Sequence, residues 1–198
     1  MKMNRVAIVA SVFVLSGIFA QAEGLWPKPN LLLETVGGVW FVPDAEQFFV
    51  NGENYSPDLA YNIDFKVGLE FEDDLYVADI AGLVGPYIGP VVGVNVGADA
   101  SFRFKVSEKT GSLAIGPHAG YNWYLFPTWT GDNDAYVEFE NLEPGWMVGL
   151  KATWGSEKIR GVVSIDYVDV WFDAKDGSTV SKKDLSMQGL LLQGGIQF

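Results

Sequence analysis

Apolar and polar positions alternate along most of this chain with a period of two. The clearest stretch is 59–71, where Leu59, Tyr61, Ile63, Phe65, Val67, Leu69 and Phe71 interleave with Ala60, Asn62, Asp64, Lys66, Gly68 and Glu70. A period of two over this length marks a β-strand with one apolar face, because successive side chains point to opposite sides. The pattern recurs at 91–106, 113–125, 146–154, 159–172 and 186–198, and less regularly at 31–42, where three leucines are consecutive. A third segment from Leu75 is expected to end near Leu83, broken by the cluster Gly82, Gly85, Pro86, Gly89 and Pro90. Together these predict eight antiparallel strands joined by alternately long and short connections. Pro117 falls inside the fifth strand and cannot donate to a ladder, which predicts a bulge or an irregular strand there.

The amino-terminal segment follows a different rule. Lys2 and Arg5 precede the apolar run Val6 to Phe19, and Ala20, Gln21 and Ala22 follow. This is the pattern of a secretory signal peptide over 1–22, cleaved to leave a single domain over 23–198. The run is shorter than the ~20 residues a membrane-spanning helix requires. The segment carries two of the chain's 13 bases and none of its 25 acids, so the mature chain is more acidic than the formal −12 of the whole. Such a charge argues against nucleic acid as a partner. Cysteine is absent, so closed hydrogen bonding and packing must hold the exported chain together.

Alternation alone does not separate a membrane barrel from a soluble one; the contents of the two faces do. The polar face is rich in glycine (Gly68, Gly93, Gly97, Gly116, Gly120, Gly149, Gly189 and Gly195), which suits a crowded interior rather than a solvated surface. The apolar face places Tyr61, Tyr121, Trp123, Trp146, Tyr167 and Trp171 at one end, and Phe71, Phe102, Phe104, Trp154 and Phe198 at the other. From Trp146 to Trp154, steps of about 3.3 Å at a tilt near 40° span roughly 20 Å, close to the apolar band of a membrane barrel. The expected fold is therefore all-β: an eight-stranded antiparallel up-and-down transmembrane barrel with short periplasmic turns and longer extracellular loops, both termini being periplasmic. The soluble alternative is a lipocalin-like barrel.

The last strand, SMQGLLLQGGIQF, places Leu190, Leu192, Ile196 and a terminal Phe198 on one face, with Gly194 as a departure. It resembles the closing strand of bacterial outer-membrane barrels. The mature chain as a whole resembles the small eight-stranded class of the OmpA transmembrane domain and OmpX. That resemblance implies residence in the bacterial outer membrane, contact with its lipids and lipopolysaccharide, and recognition of the last strand by the barrel-insertion machinery.

Candidate chemistry is sparse. Glu34, Asp64, Glu70, Asp79, Asp99 and Asp166 are expected in the lumen against Lys66, Arg103, Lys105, Lys151 and Arg160, a balance that reads as an internal network of paired groups. His118 is the only histidine, with Asp99, Ser101 or Asp64 as candidate neighbours. Small outer-membrane lipid A deacylases use a histidine and a serine on the lipid-facing wall, whereas His118 is expected to point inward in GPHAGYNW without that motif. Two loops, 43–58 and 126–144, carry acids without a base, interleaved with aromatic residues. Asp132, Asp134, Glu138 and Glu140 are the candidates there for divalent cations or a surface partner. No catalytic residue, cofactor site or metal site is assigned. The function expected is a non-enzymatic envelope protein binding through its outer loops, with a narrow ion or solute channel and a lipid-modifying enzyme as alternatives.

Overall fold

The computed structural model describes residues 27–41, 48–50, 53–55, 59–89, 91–107, 112–129, 139–140, 144–156, 158–174 and 184–198. The expected signal peptide, most of both acidic loops and the last loop lie outside these residues. Eight long strands dominate: β1 Pro29–Phe41, β2 Leu59–Glu72, β3 Tyr76–Ile88, β4 Val91–Ser107, β5 Leu113–Trp129, β6 Gly145–Gly155, β7 Arg160–Ala174 and β8 Asp184–Gln197. Each pairs antiparallel with its neighbours in sequence, and β8 also pairs with β1, which closes the sheet. A small hairpin, Phe48–Val50 with Glu53–Tyr55, lies in the first long connection, and Phe139–Glu140 pairs with the upper end of β7.

Closure gives every alternate residue an inside and an outside. Outside stand large apolar side chains from every strand, among them Leu31, Phe65, Val67, Val84, Phe104, Tyr121, Val148, Ile165 and Leu192. Such a surface is the inverse of a soluble protein's and fits lipid. The aromatic ends of the outer face form packed groups: Tyr76 stacks on Phe102, which meets Phe104 edge-on, at the lower end, while Trp146 lies against Tyr167 at the upper. Phe71 keeps the outward parity expected of it but is covered there, being only 6 % exposed.

Three expectations need correcting. β3 does not stop at Leu83 but runs to Ile88 through Gly85 and Pro86, and its register with β2 is the same on both sides of them. Pro86 points outward, and a Cβ on Gly85 would sit 1.8 Å from the Ile63 carbonyl oxygen, so the backbones approach as only glycine permits. The same Gly-Pro device serves Gly116 and Pro117 in β5, where a Cβ would lie 2.0 Å from the Phe102 oxygen. Pro117 therefore needs no bulge, and the register with β4 and β6 is unbroken there. The bulges fall elsewhere, at Lys105/Ser107 and near Val92/Val94, where Gly93 faces Phe126 and Pro127. Phe126 takes φ 55° there, an uncommon conformation for a non-glycine residue. Finally, because β3 is long, the connection from β3 to β4 is only 89–90, so one upper connection is short.

Candidate functional site

All eleven charged residues expected in the lumen face it. Glu34, Asp64, Lys66, Glu70, Asp79, Asp99, Arg103, Lys151, Arg160 and Asp166 are buried, and Lys105 is half-buried at the lower rim. Strand alternation places them, and the small bore of an eight-stranded barrel forces them into contact. Lys66, on β2, lies 3.1 Å from Glu34 on β1 and 2.5 Å from Asp99 on β4. Lys151 reaches Glu34 at 2.8 Å and Asp79 at 3.4 Å. Arg103 pairs with Asp79, approaches Glu70 at 3.3 Å, and donates to the Thr153 hydroxyl at 2.7 Å. At the lower rim Arg160 binds Glu70 at 2.8 Å and also pairs with Glu72, which Lys105 meets at 2.8 Å. Glu72, not among the eleven expected, also belongs to this network, because β2 extends one residue further than its alternation shows.

His118 is 1 % exposed, with Nδ1 2.9 Å from Asp166 and Nε2 3.1 Å from Asp99. Both ring nitrogens face carboxylate oxygens, an arrangement the imidazolium form satisfies with two donors. Of its expected neighbours, Asp99 is in place. Ser101 instead donates to Asp79 at 2.9 Å, and Asp64 is held by amides. The described residues thus bring no serine hydroxyl to the histidine, and no cluster of His, Asp and Glu among them is arranged to hold a metal ion.

Above the charges the lumen changes character. Asn95 and Gln193 donate to Asp64 at 2.8 and 2.9 Å. Over this amide layer four inward rings converge: Tyr124 stacks on Trp40 at 6.2 Å and meets Tyr87 and Phe172 edge-on at 5.0 and 5.5 Å. Met147, Val168, Val170, Met187 and Leu191 are buried with them. At the opposite, lower mouth lies a cavity of about 340 Å³ lined by Asn30, Glu70, Glu72, Arg160, Gln197 and Phe198. The barrel therefore has an open polar vestibule below, an ion-pair network in the middle and an aromatic cap above. The cap is the feature that sequence reading missed; only the inward parity of Trp40 and Tyr124 pointed to it.

A closed eight-stranded up-and-down barrel with an apolar exterior and a filled polar lumen is the architecture of the small outer-membrane barrels. Among solved structures, the outer membrane protein OprG from Pseudomonas aeruginosa is similar to this chain. The match has a TM-score of 0.53, covers 87 % of this chain and 95 % of that one, and has 7 % identity. At that identity the likeness is one of fold. No family model and no curated protein matches the chain.

Proposed function

We propose that this chain is a non-enzymatic protein of the bacterial outer membrane, closed to ions, which braces the envelope and presents its acidic, aromatic loops outside. The observation that carries this reading is the filled lumen. A solute entering from the lower vestibule meets the Lys66, Arg103 and Lys151 pairs with their carboxylates, and then the rings of Trp40, Tyr87, Tyr124 and Phe172. Burying this many charges is tolerable only because they pair with one another, so the network replaces an apolar core rather than lining a path. The apolar exterior and the likeness in fold to OprG support the location. Periplasmic termini follow from placing the short turns at 73–75 and 156–159 inside. Lipopolysaccharide and divalent cations at the acidic loops, and the insertion machinery at β8, are the partners this placement offers.

Two measurements test the reading. Membrane fractionation with electrophoresis before and after boiling should give an outer-membrane band that migrates faster unboiled. Reconstituted in planar bilayers, the protein should give no stepwise conductance. Steady ohmic steps would overturn the closed lumen and favour the narrow-channel alternative.

A further inference from the structure

Five buried polar atoms around one crevice have no hydrogen-bond partner in the structure: Trp40 Nε1, the Tyr87 hydroxyl, and the Oδ1 atoms of Asn62, Asn95 and Asn122. Their five residues all line the same cavity of about 10 Å³, together with Tyr61, Tyr124 and Leu191, and two of them, Asn62 and Asn95, also hold Asp64. That is room for one body the size of a water molecule. Four of the five atoms are oxygens, and leaving them unmatched in a buried place is costly, so the chamber calls for a guest that donates to them or carries positive charge; the Trp40 N–H, itself a donor, contributes only its ring to such a guest.

The lining specifies the guest's chemistry. Asp64 takes the Nδ2 donors of Asn62 and Asn95, at 2.5 and 2.8 Å, which turns both amide oxygens away from the carboxylate. No base lines the chamber. Asp64, 3 % exposed, is also the one lumen carboxylate that no Lys, Arg or His approaches within 4 Å among the described residues. Charge bookkeeping agrees. Counted by residue, the described lumen sets Lys66, Arg103, Lys105, Lys151, Arg160 and His118 against seven carboxyl groups, and Asp64 is the one that none of them reaches.

We propose that this chamber binds one dehydrated monovalent cation of water size, ammonium or potassium, held by amide oxygens and aromatic faces above the Asp64 carboxylate. Carbonyl oxygens replace the hydration shell of such an ion, and ring faces attract it further. The cation supplies the charge that Asp64 lacks and completes the lumen's neutrality.

The test uses the full mature barrel refolded in lipid vesicles, with urea unfolding followed by the gel shift in ammonium, potassium or N-methylglucamine chloride at equal ionic strength. The first two salts should raise the folded-to-unfolded ratio, by roughly tenfold at a concentration ten times the dissociation constant. The Trp40 indole resonance should move with them. Stabilisation by ammonium alone assigns the site to a hydrogen-bond donor; equal stabilisation by both assigns it to charge and size. Asp64→Asn should fold and become indifferent to the salt. Gly38→Ala, whose Cβ would stand 2.4 Å from Asn62 Oδ1, should push that amide into the chamber and abolish the effect. Identical unfolding and an unmoved indole in all three salts would show that the chamber holds water only. A full cation effect in Asp64→Asn would overturn the assignment of the site. Should Asp64→Asn not fold, the wild-type salt comparison and Gly38→Ala decide.

Discussion

Replacing Lys66 with methionine is the sharpest probe of the lumen. Methionine keeps the length and most of the packing of the lysine stem, so the change isolates the ammonium. Lys66 serves two carboxylates, Asp99 at 2.5 Å and Glu34 at 3.1 Å, and both are buried. Breaking one buried pair by removing a partner costs about 3–5 kcal/mol, because a charge is left uncompensated. Here the carboxylates keep second partners, Lys151 for Glu34 at 2.8 Å and His118 for Asp99 at 3.1 Å. The expected loss therefore lies at the lower end, about 3 kcal/mol, or roughly a hundredfold in the folded-to-unfolded ratio. The companion variant Lys66→Met with Asp99→Asn removes the orphaned charge as well, and should be more stable than Lys66→Met alone. Urea titration in vesicles, read by the heat-modifiable band, measures all the corners of this double-mutant cycle. A Lys66→Met barrel within about 0.5 kcal/mol of wild type would refute the reasoning. It would mean that water, not Lys66, compensates these acids, and that the lumen is wet.

Other predictions follow from the same geometry. Tyr124→Ala removes the ring that joins Trp40, Tyr87 and Phe172, and should cost about 3–5 kcal/mol while admitting conductance steps absent from wild type; a folded variant that stays electrically silent would count against the cap as the barrier. His118→Ala leaves Asp166 without the ring nitrogen 2.9 Å away and should lower stability while leaving the lipids of reconstituted membranes chemically unchanged, as mass spectrometry would show. Loss of a lipid-modifying activity in that variant would reinstate the enzyme reading. Gly85→Ala should fail to give the compact band, because its Cβ meets Ile63 oxygen at 1.8 Å, whereas Gly82→Ala, with no atom nearer than 3.9 Å, should fold normally.

The sides of the barrel were legible because a period of two leaves a strand no choice. Once Leu59 to Phe71 is a strand with Ile63 and Phe65 in lipid, Asp64 and Lys66 must face the lumen, and the same reasoning placed Glu34, Asp99, Arg103, Asp166 and His118. Who pairs with whom was not legible, since Lys66 and Asp99 meet over the intervening β3 through a stagger that no local spacing encodes. The aromatic cap was hidden for a related reason. Its rings come from β1, β3, β5 and β7, and Tyr87 lay beyond a Gly-Pro pair that ordinarily ends a strand. Gly85 and Pro86 instead continue it: the proline faces outward, where its missing donor is tolerated, and the glycine lets β2 come close. The sequence signals of a break and of a tight approach are the same, and only the neighbouring strand distinguishes them.

The seam between β1 and β8 bears on how the protein is made. There Leu33 and Phe198 exchange both backbone hydrogen bonds, at 3.2 and 2.7 Å, so closure joins residues nearly the whole chain apart. The other pairings are hairpins that can zip as each strand arrives, but this one waits for the last strand of the barrel to reach the first and is the slow, high-contact-order step. Until it forms, two unpaired strand edges stay open to any other chain. Synthesis is thus an all-or-none wager: a barrel cut short by one strand is not a slightly weaker barrel but an open sheet with two adhesive edges, fit for degradation.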